Sequence, residues 1–286
     1  MFGGYNIFKE AKIRRFWANQ PDSNCRPELL TKLYPYLPHM QNARGNMLKM
    51  FFGYKLSDVN NPWYSHYLRW NNSSKISNYF QPDIKSELNR LDPFAALSSL
   101  HIPSFDNLTE LAKAQYIESS IFMSGYLLSS QGDRMGMANS VEGRYPFLDH
   151  RLIEFAANLP DNAKLNCLNE KFILKRAMKG KIPESIRQRQ KQAYRAPVAS
   201  SFFGENKLEY VNDLLSESKL ISYGYFNPAM VKNLTTKMAS DKTLSEIENM
   251  SIAAILSTQL THYFFISGNK ELLQTGPLQN LNIIRG

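Results

Sequence analysis

The sequence predicts a mainly α-helical protein, and three observations point there. Apolar residues recur at helical spacing, alternating strand patterns are scarce, and capping residues stand at the heads of apolar runs. With 286 residues, 43% hydrophobic and 12% aromatic, the chain can bury its own core and is too apolar for intrinsic disorder.

Taken in order, residues 6–18 read as a first helix and 27–37 as a short one whose Pro27 suits a first helical turn. The stretch 53–82, rich in Asn, Ser, Tyr and Trp, reads as irregular with short turns, and 83–92 as helical. Asn107 followed three residues later by Glu110 resembles a capping box. It opens a long segment in which Leu111, Ala114, Ile121 and Leu128 share a helical face. Asp149 is placed to cap a further helix with the apolar stripe Leu152, Phe155, Ala156 and Leu159, and Pro160 lies just beyond it. Residues 169–179 form a helix with Lys and Arg towards its C-terminal end, matching the helix dipole. Helices over 206–218, 228–239 and 243–267 complete the set. The last is apolar but too polar in its first turns to span a bilayer, which needs about 20 apolar residues. One domain over 1–267 is expected, followed by a poorly ordered tail over 268–286.

The charge is +9, from 34 Lys and Arg against 25 Asp and Glu. One basic cluster is Lys9, Lys12, Arg14 and Arg15. A denser one is Lys171, Lys175, Arg176, Lys179, Lys181, Arg187, Arg189, Lys191 and Arg195. Such a patch serves a solvated helix face, nucleic acid, a membrane surface or a phosphorylated small molecule. No helix-turn-helix, zinc-finger or RNP pattern accompanies it, which argues against nucleic acid. Cys25 and Cys167 are too few for a disulfide scaffold or a structural zinc site. The five histidines are isolated, and there is no Walker loop, dinucleotide fingerprint or GxSxG elbow. The N-terminus lacks the pattern of a secretory signal, and a cytoplasmic setting is expected, with no membrane partner.

Two segments carry chemical information. Residues 126–149 hold Asp133, Arg134, Glu142, Arg144 and Asp149 among Met, Val and Phe. Charges between two apolar helices demand partners, so they form either an internal ion-pair network or the polar floor of a pocket. Residues 187–197 place three arginines and Lys191 before Pro197, where Lys191 can present an ammonium to phosphate or belong to a basic surface loop.

The run Asp133-Arg-Met-Gly-Met-Ala-Asn-Ser-Val-Glu-Gly-Arg-Tyr-Pro-Phe-Leu-Asp149 resembles the signature of the synthetase domain of glutamine-dependent asparagine synthetases. So does Arg189-Gln-Lys-Gln-Ala-Tyr-Arg-Ala-Pro197, and Phe2-Gly-Gly-Tyr5 resembles the stretch after that family's acidic loop. The resemblance implies the helical C-terminal portion of a Rossmann-like α/β domain of the adenine-nucleotide-α-hydrolase type, with most or all of the parallel sheet upstream. It implies ATP with Mg²⁺, formation of an acyl-adenylate on a carboxylate such as aspartate, and attack by ammonia released from glutamine, giving asparagine, AMP and pyrophosphate. Lys191 matches the lysine that contacts phosphates and stabilises developing charge. Glu142 is carried over as a proton acceptor or orienting carboxylate. Gly4, Tyr5, Asp133, Arg144 and Arg189 match nucleotide- or substrate-binding surroundings, and no residue is assigned as a metal ligand.

The family's Ser-Gly-Gly-x-Asp-Ser loop, its acidic loop and its glutaminase segment have no match here. The expectation is a truncated C-terminal part, incomplete alone, whose partners are an upstream half-domain and a glutaminase domain. Ala193 stands where relatives often carry Pro, which changes loop stiffness more than chemistry. Two other readings remain: a non-catalytic helical binding or assembly module, and amidation of a different carboxylate.

Overall fold

A computed structural model describes residues 1–36, 45–98, 102, 104–192, 199–203, 208–239 and 244–267. Among the described residues the protein is mainly helical, as the patterning predicts. The sheet they contain is one antiparallel hairpin, Leu165–Asn166 paired with Asn169–Glu170. The backbone forms two compact units, Met1–Trp70 with Phe94–Tyr194, and Asn71–Pro93 with Arg195–Gly286.

In the first unit the opening helix, Asn6–Ala18, has the predicted bounds. It is buried on several sides, with Ile7, Phe8, Ile13 and Trp17 feeding two apolar clusters. A helix surrounded in this way must also bury polar groups, and each needs a partner. Arg14 is fully buried and donates to the carbonyls of Phe52 (2.9 Å), Tyr64 (3.2 Å) and Tyr54 (2.5 Å), with its guanidinium 4.5 Å from the Tyr64 ring centre. Burial lowers its pKa, while Tyr64 and Glu10 act in the opposite sense. Glu10 accepts from the Tyr34 hydroxyl and from Arg69, at 2.8 Å for the arginine.

The short helix read at 27–37 is a 3-10 helix, Arg26–Lys32, with Pro27 in its first turn. The stretch read as irregular contains a true helix, Tyr64–Ser74. Its composition is poor for a helix, but Tyr64, His66 and Leu68 are buried and packing overrides propensity. The Asn61 side chain starts it by accepting from the Trp63 N–H at 2.8 Å. The helix expected at 83–92 is Pro82–Arg90, in the second unit.

The long segment starts at Thr109, whose hydroxyl accepts from the Ala112 N–H, two residues later than the expected cap. Glu110–Ile117 is an ordinary helix, and Glu118–Asp133 then continues as a π-helix of 16 residues. Serine hydroxyls bond back along this segment. Ser119, Ser124 and Ser129 donate to the carbonyls of Gln115, Ser120 and Gly125, four residues back.

Asp149 caps His150–Ala157 as predicted, accepting from the Arg151 N–H at 2.9 Å. Of the predicted stripe, Ala156 is buried but Phe155 is exposed. The helix read at 169–179 begins only at Phe172, because Asn169 and Glu170 pair in the hairpin and Lys171 adopts a left-handed conformation, φ 52°.

The second unit has its own core of Val211, Leu220, Phe226, Val231, Leu234, Met238, Ile252, Ile255 and Leu256. The predicted 206–218 helix is two shorter ones, Glu209–Leu214 and Glu217–Tyr223, divided where the Ser216 hydroxyl caps the second. Gly224, at φ 76°, ends that helix. Pro228–Ala239 matches the expected bounds, and Glu246–Phe265 follows a full capping box of Ser245 and Glu248. Phe80 bridges to Phe226, with Gln81 N–H donating to Tyr225 O (3.0 Å) and Asn227 N–H to Tyr79 O (2.8 Å). The tail over 268–286 lies outside the described residues, and among those described no helix is long and apolar enough to cross a membrane.

Candidate functional site

The N-terminal Phe2-Gly-Gly-Tyr5 is the joint between the two informative segments. Phe2 is buried; its ring meets Phe147 edge-on at 6.2 Å, and its carbonyl accepts from the Lys171 N–H at 3.1 Å. Gly3, at φ 62°, packs its Cα beside Leu165 of the hairpin. Gly4 lies under the Lys171 side chain so closely that a Cβ would stand 2.8 Å from Lys171 Cε. Tyr5 is half-buried between Phe8, stacked at 6.1 Å, and Phe122 of the wide helix, edge-on at 6.4 Å. Burial, then the charge of Glu118, raises its pKa.

The far end of the hairpin carries a buried carboxylate. Glu170 receives Lys9 Nζ at 2.5 Å and Lys175 Nζ at 3.4 Å, and its Oε1 accepts the Lys191 main-chain N–H at 3.0 Å. Burial alone would oppose ionisation, but the Lys9 contact and the N–H donors outweigh it and hold the carboxyl at about 2. The Lys191 ammonium is directed elsewhere, donating to Gln192 O at 3.1 Å.

The dense basic cluster thus sorts itself physically. Lys175 serves Glu170, while Arg187 pairs with Glu184 and donates to Lys175 O at 2.9 Å. Lys171, Arg189 and Lys191 form no ion pair among the described residues. Arg195 and the Ala193–Pro197 part of the motif lie outside them.

The expectation of buried charges over 126–149 is overturned. Asp133, Arg134, Glu142 and Arg144 are all exposed. Glu142 and Arg144 form a 3.0 Å pair with side chains 71% and 84% accessible. Asp149 is half-buried and serves the Arg151 side chain and main chain, which lowers its pKa. The neighbouring apolar side chains are exposed too, among them Met137 at 66%, Val141 at 59% and Phe147 at 54%. Charges here pair with sequence neighbours or face solvent, because no described element covers the segment. Its local shape is nonetheless specified: the Val141 N–H donates to Gly136 O at 2.8 Å, and a Cβ on Gly136 would meet Val141 O at 2.9 Å.

The structure therefore brings Gly4, Tyr5 and Lys191 towards one hairpin. Among the described residues no hydrogen bond or ion pair joins Asp133, Glu142 or Arg144 to them. Arg189 is exposed at the end of the helix Glu184–Gln188. Sequence reading missed Glu170, Lys9 and Lys171 as parts of this arrangement. The signal was a carboxylate next to the start of a nine-cation run, where local neutralisation is expected. No group of three His, Cys, Asp or Glu side chains among the described residues could hold a metal ion.

A family model described as asparagine synthase matches residues 1–262. The chain belongs to the asparagine synthase family. Among its relatives, asparagine synthetase [glutamine-hydrolyzing] 1 of Bacillus subtilis is 26% identical over 227 residues, covering 78% of this chain and 33% of that protein. Asparagine synthetase [glutamine-hydrolyzing] 3 of the same organism is 38% identical over 96 residues, covering 32% of this chain and 15% of that protein. Amidase chyE of Penicillium rubens is 39% identical over 102 residues, covering 32% and 15% respectively. No solved structure matches the chain. As a member of the asparagine synthase family, this chain spans a third or less of the curated relatives it matches.

Proposed function

We propose that this chain provides the Lys191-bearing part of an ATP-dependent carbon–nitrogen ligase that converts aspartate to asparagine with ammonia taken from glutamine. In this reading a carboxylate oxygen of aspartate attacks the α-phosphorus of ATP and pyrophosphate leaves. Ammonia then attacks the acyl carbon, AMP leaves with the bonding pair, and one proton is lost. The observation that carries the reading is the pair of cations Lys171, lying over Gly4, and Lys191, whose main chain is held by the buried Glu170; among the described residues neither ammonium pairs with a carboxylate.

Cations not neutralised by a carboxylate suit the phosphates of ATP, and Lys191 would act as a point charge that stabilises the departing pyrophosphate. Glu142, which is exposed and, among the described residues, paired with Arg144, would accept the ammonia proton or orient the nucleophile. Gly4 and Tyr5 would border the nucleotide, with Asp133, Arg144 and Arg189 around the substrates. Mg²⁺ would neutralise phosphate charge, and no step is derived through it. In this reading the parallel sheet and the glutaminase would lie on segments other than this chain, which spans a third or less of its curated relatives. The partners proposed for this chain are therefore such segments together with ATP, aspartate and ammonia, within one cytoplasmic assembly.

ATP–pyrophosphate exchange driven by aspartate tests the reading. The chain alone should exchange little, and exchange should appear when the nucleotide-binding segment of a relative is supplied. Robust exchange by the chain alone would overturn the division of labour proposed. In the supplemented assay Lys191→Ala should lower exchange by about a hundredfold or more, and far more than Arg187→Ala. Equal losses would remove the role given to Lys191. Replacing aspartate by other carboxylates in the same assay identifies the acceptor.

A further inference from the structure

We infer that Glu170 is a positioning residue for Lys191, and this rests on the functional reading of Lys191 given above. The carboxylate sits at the end of a two-residue strand, 2% exposed, and one of its oxygens accepts the main-chain N–H of a residue 21 positions away. Its other oxygen is taken by Lys9 from the opening helix. Lys175, one turn into the following helix, adds a second cation on the Lys191 side. Glu170 therefore ties three separate pieces of backbone to the point from which the Lys191 side chain departs.

The arrangement separates two duties among lysines of one neighbourhood. Lys9 and Lys175 are spent on the carboxylate. Lys191 gives Glu170 only its N–H, so its main chain is fixed while its ammonium, bonded to Gln192 O, is not taken by the carboxylate. An anchored main chain reduces the freedom that the side chain must lose when it meets an anion. A carboxylate is the fitting anchor, because a hydrogen bond to a charged acceptor is worth more than one to a neutral group.

The test compares two double variants of the chain that differ in the acceptor alone. Lys9→Met with Glu170→Gln removes the buried charge pair but keeps an oxygen for the Lys191 N–H. Lys9→Met with Glu170→Leu removes the charges and the oxygen together, and apolar replacement of a buried pair is compatible with folding. Amide hydrogen exchange at Lys191 is the readout, with the amides of Asn6–Ala18 as the folding control. The Leu variant should exchange about tenfold faster at Lys191 than the Gln variant, with the control amides equal. Equal exchange at Lys191 in the two variants would overturn the inference. ATP binding by Lys191→Ala is measured separately, with the nucleotide-binding segment of a relative supplied and under conditions in which the parent chain so supplemented binds ATP. If it equals that of the parent chain while the exchange difference stands, the anchoring is right and the phosphate role of Lys191 is wrong.

Discussion

Lys9 Nζ lies 2.5 Å from Glu170 Oε2, and both side chains are almost wholly removed from water. The contact ties the opening helix to the hairpin that supports the Lys191 loop. Breaking one side of such a pair strands the other as an uncompensated buried charge. Glu170→Ala should therefore cost about 3–5 kcal/mol of unfolding free energy. Urea denaturation checks this, and combining Glu170→Ala with Lys9→Met should recover a large part of the loss.

The same carboxylate gives the acid limb of stability a predictable sign. Its pKa falls from 4.5 to about 2 in the folded protein, so the unfolded chain binds the proton more readily. The stabilisation is complete above the ordinary carboxylate range and drains away as the pH falls through about 2. Unfolding free energies measured from pH 5 to pH 2 should decline, and Glu170→Gln should flatten that decline. An unchanged slope in the variant would assign the acid sensitivity to other groups.

Arg14 offers a second stability test. Three carbonyls on two separate segments depend on its guanidinium. Arg14→Met removes the donor they share and leaves an apolar side chain facing them, and should cost about 3 kcal/mol. Arg14→Lys should fail to restore most of this, because a point-like ammonium cannot reproduce the planar fork. Calorimetric melting of the three proteins provides the comparison.

Gly3 and Gly4 separate strain from crowding. Gly3→Ala forces a Cβ onto a backbone at φ 62° and should destabilise by about 1 kcal/mol. Gly4→Ala meets only the flexible Lys171 stem and should cost less, while displacing that side chain. Thermal melting gives the first effect, and the chemical shifts of the Lys171 side chain give the second.

The exposed apolar run from Met135 to Phe155 predicts self-association of the chain on its own. Sedimentation should show oligomers whose population rises with concentration. Met137→Lys together with Val141→Lys should shift the distribution towards monomer without altering helix content.

Much of the helical framework was legible in the sequence because it rests on local rules. Asn6–Ala18 and Pro228–Ala239 have the expected bounds, and the Asp149 cap is where a short polar side chain before an apolar run puts it. What escaped depends on contacts made at a distance. The Tyr64–Ser74 helix contradicts its own composition and exists through the burial of Tyr64, His66 and Leu68. The hairpin turns at Cys167, a left-handed residue that carries no Asn-Gly signal. The charges of the 126–149 segment were expected inside because of their apolar neighbours, yet both kinds of residue face water. Lys191 was visible as a cation in a motif, whereas the carboxylate that holds its main chain was not, since a hydrogen bond across 21 residues leaves no periodic trace.

The bridge between Phe80 and Phe226 has a consequence for how the second unit comes into being. Residues 71–93 are made first, and the strand-like partner that receives Gln81 and Tyr79 is translated roughly 150 residues later. At ribosomal speeds of about 5–20 residues per second, Tyr79 and Phe80 wait about 7–30 seconds before their core exists. For that interval the nascent segment is an apolar ligand without a receptor, and chaperone occupancy on the growing chain should peak there.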